Sequence, residues 1–434
     1  MNKIADQVTG NWKKHIILFL SSQTISLFGS ALVQYAIMWH VTLTTKSGIM
    51  MTLFIICGFI PSFILSPIAG VWADRYNRKI LIMLSDALIA IATLILAIVF
   101  LMGYDATGLL FVIAAIRAIG AGIQTPAVGA ILPQIVPKEE LTKVNGTNGT
   151  LQAVIMFVAP IVSAALLTIA SIEMIFFIDV ITAAIAIITL LAFLKIPVHK
   201  KASEQQTTSY FNDFLQGMTY IKNHDFLKKF FLFFAIFFVL MAPAAFLTPL
   251  QVTRCFGDDI WRLTTIEIAF SVGMMVGGGI IASWGGFQNK VHTMTFASLL
   301  MGVCTFALGI VPIFWIYLVF MAVFGVAMPI FNTPTMVLIQ EKVEENYLGR
   351  IFGVFGMIST SMMPIGMLIF GPLADMIKVE WLLIGTGLFI LILSIFLGRK
   401  QSVNRKGKAG IEKSFIGGTI QLEKKTIKSF CLGC

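Results

Sequence analysis

Charged residues are scarce in this chain. Asp, Glu, Lys and Arg make up 12% of its 434 residues, about half of their usual share in soluble proteins, whereas hydrophobic residues make up 58%. The five cysteines and five histidines are dispersed, so the sequence predicts no disulfide framework, no metal site and no catalytic triad. It also lacks a glycine-rich phosphate loop with a Lys-Ser/Thr partner. These absences argue against an enzyme and against ATP-driven chemistry, and we expect no cofactor.

Long apolar runs are what the sequence has in abundance. Twelve stretches are about as long as the roughly 20 residues that a helix needs to cross the hydrocarbon core of a bilayer. They fall near 15–42, 48–72, 80–103, 108–132, 145–168, 172–196, 227–252, 264–284, 291–312, 313–340, 349–376 and 380–398. We therefore predict an all-α integral membrane protein with twelve transmembrane helices. The boundary at 312/313 is the weakest, because Pro312 is the only punctuation there.

Basic residues predict how these helices are oriented. The loops on one side of the membrane carry only four basic residues, Lys46, Arg254, Arg262 and Lys378, and Arg117 lies inside a span. All the other Lys and Arg residues, of 31 in total, fall in the termini and the loops of the opposite side. Because basic loops stay in the cytoplasm, we predict that both termini are cytoplasmic. The net charge of +10 thus reflects topology, and we expect no nucleic-acid partner.

An internal repeat divides the chain into two halves. Thr125-Pro126 matches Thr333-Pro334, and the acidic and basic loops that follow these pairs also match. We predict two pseudo-symmetric six-helix halves, over 1–196 and 227–398. A polar linker, 197–226, joins them and ends in a predicted amphipathic surface helix from Tyr210 to Lys229. The basic tail, 399–434, either extends without structure or attracts anionic lipid.

One loop between spans concentrates charge. The residues predicted to form a cytoplasmic gate loop are Gly70, Asp74, Arg75, Arg78 and Lys79. Their pattern resembles the loop between the second and third helices of major facilitator superfamily transporters. The resemblance implies that the acid lies near a helix N-terminus, where negative charge is favoured, and that the bases hold helix ends together in one of two alternating states. The corresponding loop of the second half, 284–290, keeps one base and no acid.

Three ionisable residues stand out inside predicted spans, where each costs about 2.5–3.5 kcal/mol. Arg117 lies near the middle of the fourth span, and its setting up to Gly122 resembles a signature of the superfamily's proton antiporters. Asp86 in the third span and Asp179 in the sixth are candidates for proton exchange. Arg117, Asp86 and Asp179 are therefore predicted coupling residues, with structural pairing as the alternative for each. Glu267, near the end of the eighth span, is predicted to be an interfacial charge.

Polar side chains on three spans mark a predicted substrate cavity. Gln23, Ser26, Ser30 and Gln34 are spaced 3, 4 and 4 residues apart, so they share one face of the first span. Gln124 lies two turns beyond Arg117, and Asn332 lies in the tenth span. The resemblance implies that the first, fourth and tenth helices line the cavity. The predicted cavity residues are Gln23, Ser30, Gln34, Gln124 and Asn332, with helix–helix hydrogen bonding as the alternative.

Further motifs narrow the resemblance to one branch of the superfamily. Leu132-Pro133, Val136-Pro137 and Phe176-Phe-Ile-Asp179 are similar to segments of Mef-type macrolide efflux proteins and enterobactin-type exporters. The resemblance implies a plasma-membrane, proton-coupled exporter of amphipathic small molecules, with macrolide antibiotics as the leading substrates and a monomer as the expected state. The alternatives are an exporter of a siderophore, lipid or other endogenous metabolite, and a membrane sensor that does not transport.

Overall fold

Long helices account for nearly all of the described structure. The computed structural model describes residues 12–104, 107–137, 140–193 and 218–398. The first six helices are α1 Trp12–Thr45, α2 Gly48–Arg75, α3 Arg78–Leu101, α4 Thr107–Ile135, α5 Leu141–Ile169 and α6 Ile172–Phe193. The second six are α7 Asp225–Cys255, α8 Ile260–Trp284, α9 Lys290–Leu308, α10 Phe314–Lys342, α11 Glu345–Met376 and α12 Val379–Gly398. All twelve are long and apolar enough to cross a membrane, which confirms the predicted fold class.

Two of the short turns between helices carry capping side chains. Ser47 caps α2 by accepting a hydrogen bond from the backbone N–H of Met50, and Asn77 caps α3 by accepting one from Lys79. Asn and Ser favour these positions because their side chains satisfy N–H groups that lack a partner in the first helical turn. The helix boundary near Pro312 is a five-residue turn, since α9 ends at Leu308 and α10 begins at Phe314.

Helix α7 changes its winding in the middle. A π-helical turn, Pro243–Leu247, connects the α-helical segments Asp225–Ala242 and Thr248–Cys255. Proline cannot donate a backbone hydrogen bond, so the regular ladder is interrupted where Pro243 enters. The second segment carries Arg254 in its last turn, next to the end of α11.

The predicted surface helix at 210–229 differs from the structure in its described part. Residues 218–223 form a short helix. This helix ends before His224, and α7 begins at Asp225. Lys228 and Lys229 therefore belong to a membrane-spanning helix. Residues 1–11, the linker over 194–217 and the tail over 399–434 lie outside the described residues, so the predicted domain boundaries stay predictions.

The apolar cores of the two halves differ. In the half formed by α7–α12, one continuous cluster contains a group of phenylalanine rings, including Phe234, Phe237 and Phe331, whose centroids lie 4.6–5.4 Å apart around Phe331. In the half formed by α1–α6, the core is divided into two clusters. Between the two clusters lie buried polar side chains of α1, α3, α4 and α6, which make hydrogen bonds and an ion pair with each other.

The halves meet through two helix pairs, α2 with α11 and α5 with α8, and through the end of α7 against α1. We name each end of the bundle after a residue in one of its turns. The Lys46 end contains the turn between α1 and α2, and the Asn77 end contains the turn between α2 and α3. Residues of α1, α2 and α5 join the C-terminal cluster only through the parts nearer the Lys46 end, for instance Trp39, Met51 and Ala164. The cluster nearer the Asn77 end contains only residues of α1–α6. Within the described chain, the apolar contact between the halves thus lies toward the Lys46 end.

Candidate functional site

A buried ion pair occupies the middle of the N-terminal half. Arg117 of α4 donates to Asp179 Oδ2 of α6 at 2.5 Å and to the Ser30 carbonyl oxygen of α1 at 3.0 Å. Its guanidinium also contacts the Thr93 hydroxyl of α3. Arg117 is 6% exposed and Asp179 is fully buried. The ion pair therefore joins four helices and compensates both charges in a low-dielectric setting.

Further hydrogen bonds complete the coordination of Asp179. The Ser30 hydroxyl donates to Oδ1 at 3.0 Å, and the Thr93 hydroxyl lies 2.9 Å from Oδ2. The carboxylate of Asp179 is thus surrounded by a guanidinium and two hydroxyls. The sequence placed Arg117 and Asp179 in separate spans, and the structure brings them together.

A second polar cluster surrounds Asp86. Ser26 Oγ and Gln124 Nε2 both donate to Asp86 Oδ1, at 2.7 and 2.8 Å. Gln124 Nε2 also lies 3.3 Å from Gln23 Oε1. Asp86 is 1% exposed, yet its Oδ2 atom and the Gln23 Nε2 atom have no hydrogen-bond partner among the described residues.

The two clusters are related by the helical repeat. Asp86 and Thr93 are seven residues apart on α3, and Arg117 and Gln124 are seven apart on α4, so the clusters lie about 10 Å from each other along the helices. They differ in charge compensation, because no Lys or Arg of the described chain lies within ion-pair distance of Asp86. The Asp179 carboxylate is therefore neutralised by a cation, whereas the Asp86 carboxyl has no cation beside it among the described residues.

Two predicted cavity residues lie outside the two polar clusters. Gln34 on α1 and Asn332 on α10 have exposed side chains, although both helices span the membrane. The Gln34 side chain extends toward α2 near Gly58, and Asn332 lies one residue after buried Phe331. Neither contacts the Asp86 or Arg117 clusters. Polar side chains exposed at such positions are suited to a water-filled space.

The predicted gate loop holds helix ends within one half. Arg78 donates through Nε to the Ala73 carbonyl oxygen of α2 at 2.7 Å, and through a terminal nitrogen to the Ala130 carbonyl oxygen of α4 at 2.6 Å. Arg75 is exposed in the last turn of α2, Gly70 has open space around its α-carbon, and Lys79 is partly buried. The side chain of Asp74 lies outside the described residues.

At the opposite end, a polar junction connects the two halves. Asp375, in the last turn of α11, accepts hydrogen bonds from the Ser47 hydroxyl at 2.7 Å and from the backbone N–H groups of Gly48 and Ile49 at 2.7 and 2.9 Å. Arg254 of α7 donates to Asp375 at 2.8 Å and to the Lys46 carbonyl oxygen at 2.6 Å. A carboxylate at the N-terminus of α2 satisfies free N–H groups and interacts favourably with the helix dipole.

The sequence does not reveal this junction. Its members are an acidic residue at the end of the eleventh span and a Ser-Gly pair at the start of the second span, and neither pattern points to the other. Only the tertiary structure places these elements side by side.

A comparison of the sequence with protein-family models now identifies the chain. The Major Facilitator Superfamily model matches residues 15–367. The chain belongs to the major facilitator superfamily. It is 31% identical over 385 residues to macrolide efflux protein A of Streptococcus pyogenes, a match that covers 88% of this chain and 95% of that protein. It is also 31% identical to macrolide efflux protein A of Enterococcus faecalis, over 71% of this chain and 96% of that protein.

Solved structures give the same fold for this superfamily member. A bacterial homologue of the iron transporter ferroportin, in an inward-facing state, superimposes with a TM-score of 0.68 at 15% identity, covering 88% of this chain and 98% of that one. This similarity concerns the fold alone. The family match and the twelve apolar helices show a multi-pass membrane transporter, and the macrolide efflux relatives show its resemblance to the Mef type, as the motifs predicted.

Proposed function

We propose that this transporter exports macrolide-type amphipathic compounds across the plasma membrane in exchange for protons. The observation that carries the proposal is the match to the streptococcal macrolide efflux protein A, which extends over nearly the whole length of both chains. Because the alignment covers nearly the whole length of both chains, we transfer the substrate class to this chain.

The distribution of basic residues supports an orientation with the Asn77 end and both termini in the cytoplasm. In that orientation the polar junction lies at the outer end. We infer that exposed Gln34 and Asn332 face a water-filled space that leads to the inner end. Export requires the complementary state, in which the outer junction opens and the inner ends, including the gate loop, approach each other.

We assign the proton to Asp86 rather than to Asp179. Asp179 is paired with Arg117, and neutralising it would leave a permanent charge buried without a partner. Asp86 has a free oxygen, and its neighbours on α1 and α4 are the uncharged side chains of Ser26, Gln23 and Gln124. The nearest charged groups on the packed helices are Arg117 and Asp179, one heptad away, and they compensate each other.

The magnitudes bear on how many protons each cycle needs. A proton that moves through about 100 mV releases about 2.3 kcal/mol, and a hundredfold concentration gradient requires about 2.8 kcal/mol. Exchange of one proton for a singly charged macrolide moves no net charge, so the membrane potential contributes only if more than one proton enters per cycle.

The test is the accumulation of labelled erythromycin in cells that express the chain, with and without a protonophore. We expect low accumulation that rises to the level of control cells when the proton gradient collapses. Cells that produce the Asp86→Asn variant at equal membrane abundance serve as the matched control and should accumulate the drug throughout.

Accumulation equal to that of empty cells, with the protein present in the membrane, would reject macrolide export. The endogenous-metabolite exporter and the non-transporting sensor would then remain. An anionic siderophore would need an accessible cation in the cavity, and Arg117 does not supply one because Asp179 already neutralises it.

A further inference from the structure

The groups that bond to Asp86 differ in chemistry from the cation that bonds to Asp179. Arg117, the partner of Asp179, donates hydrogen bonds but cannot accept one. The two partners of Asp86 are the Ser26 hydroxyl and the Gln124 amide, and each of these groups contains both a donor and an acceptor. The Asp86 cluster can therefore pair with a protonated carboxyl as well as with a carboxylate.

The amide nitrogen of Gln124 bonds to two acceptor oxygens of neighbouring helices. It lies 2.8 Å from Asp86 Oδ1 on α3 and 3.3 Å from Gln23 Oε1 on α1. An amide nitrogen carries two hydrogens, so it can donate to both oxygens at once. One side chain of α4 thus connects a carboxyl of α3 with an amide of α1.

Two polar atoms at the ends of this chain of bonds have no partner among the described residues. They are Asp86 Oδ2, which is an acceptor, and Gln23 Nε2, which is a donor. Both side chains are buried, with exposed fractions of 1% for Asp86 and 8% for Gln23. Buried polar groups are rarely left unpaired in native proteins, which favours a second arrangement in which more of them are paired.

Turning both amides by 180° produces such an arrangement without moving any other group, because the nitrogen and the oxygen of an amide are similar in size. Gln124 Oε1 then takes the central position and accepts a bond from Gln23 Nε2, which gains a partner. It also accepts a bond from Asp86 if that carboxyl is protonated. If Asp86 is ionised, two oxygens that only accept would face each other. The protonation state of Asp86 therefore selects the orientation of both amides.

No charged side chain of the described residues bonds to this cluster. The nearest charged or titratable groups on α3 and on the helices packed against it lie about two helical turns away or further, and they are His15, Arg78, Lys79, Arg117 and Asp179. Arg117 and Asp179 neutralise each other, and Arg78 donates to carbonyl oxygens at the Asn77 end. The uncharged neighbours of Asp86 are therefore the groups that respond when it binds a proton.

We propose that Gln124 and Gln23 are positioning residues for the exchangeable proton of Asp86, and that their amides turn over together when the carboxyl is protonated. The proton passes from water to the Asp86 carboxylate, and the amides only rotate. The inference rests on the proposed function, which assigns the coupling proton to Asp86.

The turnover links proton binding to the packing of three helices. In the ionised state, Ser26 of α1 and Gln124 of α4 donate charge-assisted bonds to Asp86 of α3. Protonation replaces them by bonds between neutral groups, which are about half as strong. Proton uptake therefore loosens α3 from α1 and α4, the two helices of this half that are expected to line the cavity.

The test is infrared difference spectroscopy between acid and alkaline pH, on the full-length chain in lipid bilayers with isotope-labelled glutamine side-chain carbonyls. It measures the band of the protonated carboxyl and the shift of the labelled amide band. The variants are Asp86→Asn, Gln124→Met and Gln23→Met, since methionine has a similar length and no amide. The matched control is Gln152→Met, which removes an exposed glutamine of α5.

We expect the wild type to show a carboxyl band and an amide shift that are both absent from Asp86→Asn. Gln124→Met should lose the whole amide shift, because Gln23 then has no partner that can turn over. Gln23→Met should keep about half of the shift, which comes from Gln124, and Gln152→Met should match the wild type. Elution of each variant as a single species at wild-type abundance establishes that it is folded.

Three results would overturn the amide pair. These are a carboxyl band that is equal in Asp86→Asn and the wild type, an amide shift that persists in Asp86→Asn, and an unchanged amide shift in Gln124→Met. The measurement needs no drug, so its outcome is independent of the substrate. If the expected spectra appear but cells do not export erythromycin, the amide pair stands and macrolide export is rejected. If erythromycin is exported and the spectra of Gln124→Met and the wild type agree, export stands and the amide pair is rejected.

Discussion

At the scale of single residues, the two buried aspartates of the N-terminal half have different partners. Asp179 is paired with Arg117, and Asp86 contacts only neutral hydrogen-bond donors. Charge compensation is the property that separates a fixed structural carboxylate from one that can exchange a proton, since each protonation change alters the local charge. The same residue type thus has two different environments, and we propose a different role for each.

The first prediction concerns Asp86. Asp86→Asn should abolish protonophore-sensitive efflux and leave folding intact, because the amide keeps the acceptor oxygen for Ser26 and Gln124 but cannot exchange a proton. The measurement is erythromycin accumulation at matched membrane abundance. Efflux at the wild-type rate would show that the coupling proton binds elsewhere.

The second prediction concerns Asp179. Asp179→Asn should lower the free energy of unfolding by roughly 3–5 kcal/mol, because it leaves the Arg117 charge buried without a partner. Arg117→Gln should cost less, since the carboxylate left behind can take up a proton whereas a guanidinium cannot lose one. The measurement is thermal unfolding of the purified variants.

The double variant Arg117→Gln with Asp179→Asn is the matched control and should recover most of the lost stability. Equal stability of Asp179→Asn and the wild type would contradict the role assigned to the ion pair.

At the scale of helices, the polar junction at the Lys46 end depends on a contact between the end of α11 and the start of α2. Three hydrogen-bond donors at the start of α2 converge on Asp375, and Arg254 adds a fourth. Glycines at positions 48 and 371 let the two backbones approach, since a β-carbon at Gly371 would overlap the Thr52 hydroxyl. The carboxylate and the close packing stabilise the same state.

The third prediction follows from this contact. Asp375→Asn should favour opening of the Lys46 end, because it removes a charge interaction with the α2 N-terminus and with Arg254. The measurement is the rate at which an impermeant thiol reagent labels a cysteine introduced for buried Met51, with exposed Cys255 replaced by serine. We expect about a tenfold faster reaction, which corresponds to about 1.4 kcal/mol.

Asp258→Asn is the control for this experiment. Asp258 pairs with Lys46 nearby, but both side chains are about half exposed, so water screens the interaction. Its labelling rate should equal that of the wild type. Similar rates for Asp375→Asn and the wild type would remove the junction from the transport cycle.

At the scale of the whole molecule, the two ends of the bundle have different polar contacts. The Lys46 end is held by bonds between the halves, whereas Arg78 at the Asn77 end holds α2 to α4 inside one half. The contacts named here that join the halves lie at the Lys46 end, and we expect them to break in the alternate state. The gate loop is expected to act between the halves only in the alternate state.

The fourth prediction compares Asp74 with Asp375. Asp74→Asn should slow transport at normal membrane abundance and shift the molecule further toward the state open at the Asn77 end, opposite in direction to Asp375→Asn. The measurement is labelling of the Met51→Cys position in both backgrounds, which should be slower than wild type for Asp74→Asn. A shift in the same direction for both variants would contradict opposing roles for the two ends.

The sequence by itself determined the twelve helices, because about 20 consecutive apolar residues have few alternatives to a spanning helix in a bilayer. It also singled out Arg117, Asp86 and Asp179 for a functional or structural role, since a charge at that depth in the membrane is costly. Only the tertiary structure decided the pairing of Arg117 with Asp179, the neutral hydrogen-bond partners of Asp86, and the contact of Asp375 with α2. These depend on how helices distant in the sequence pack and rotate, which hydrophobicity does not specify because lipid and protein interior are equally apolar.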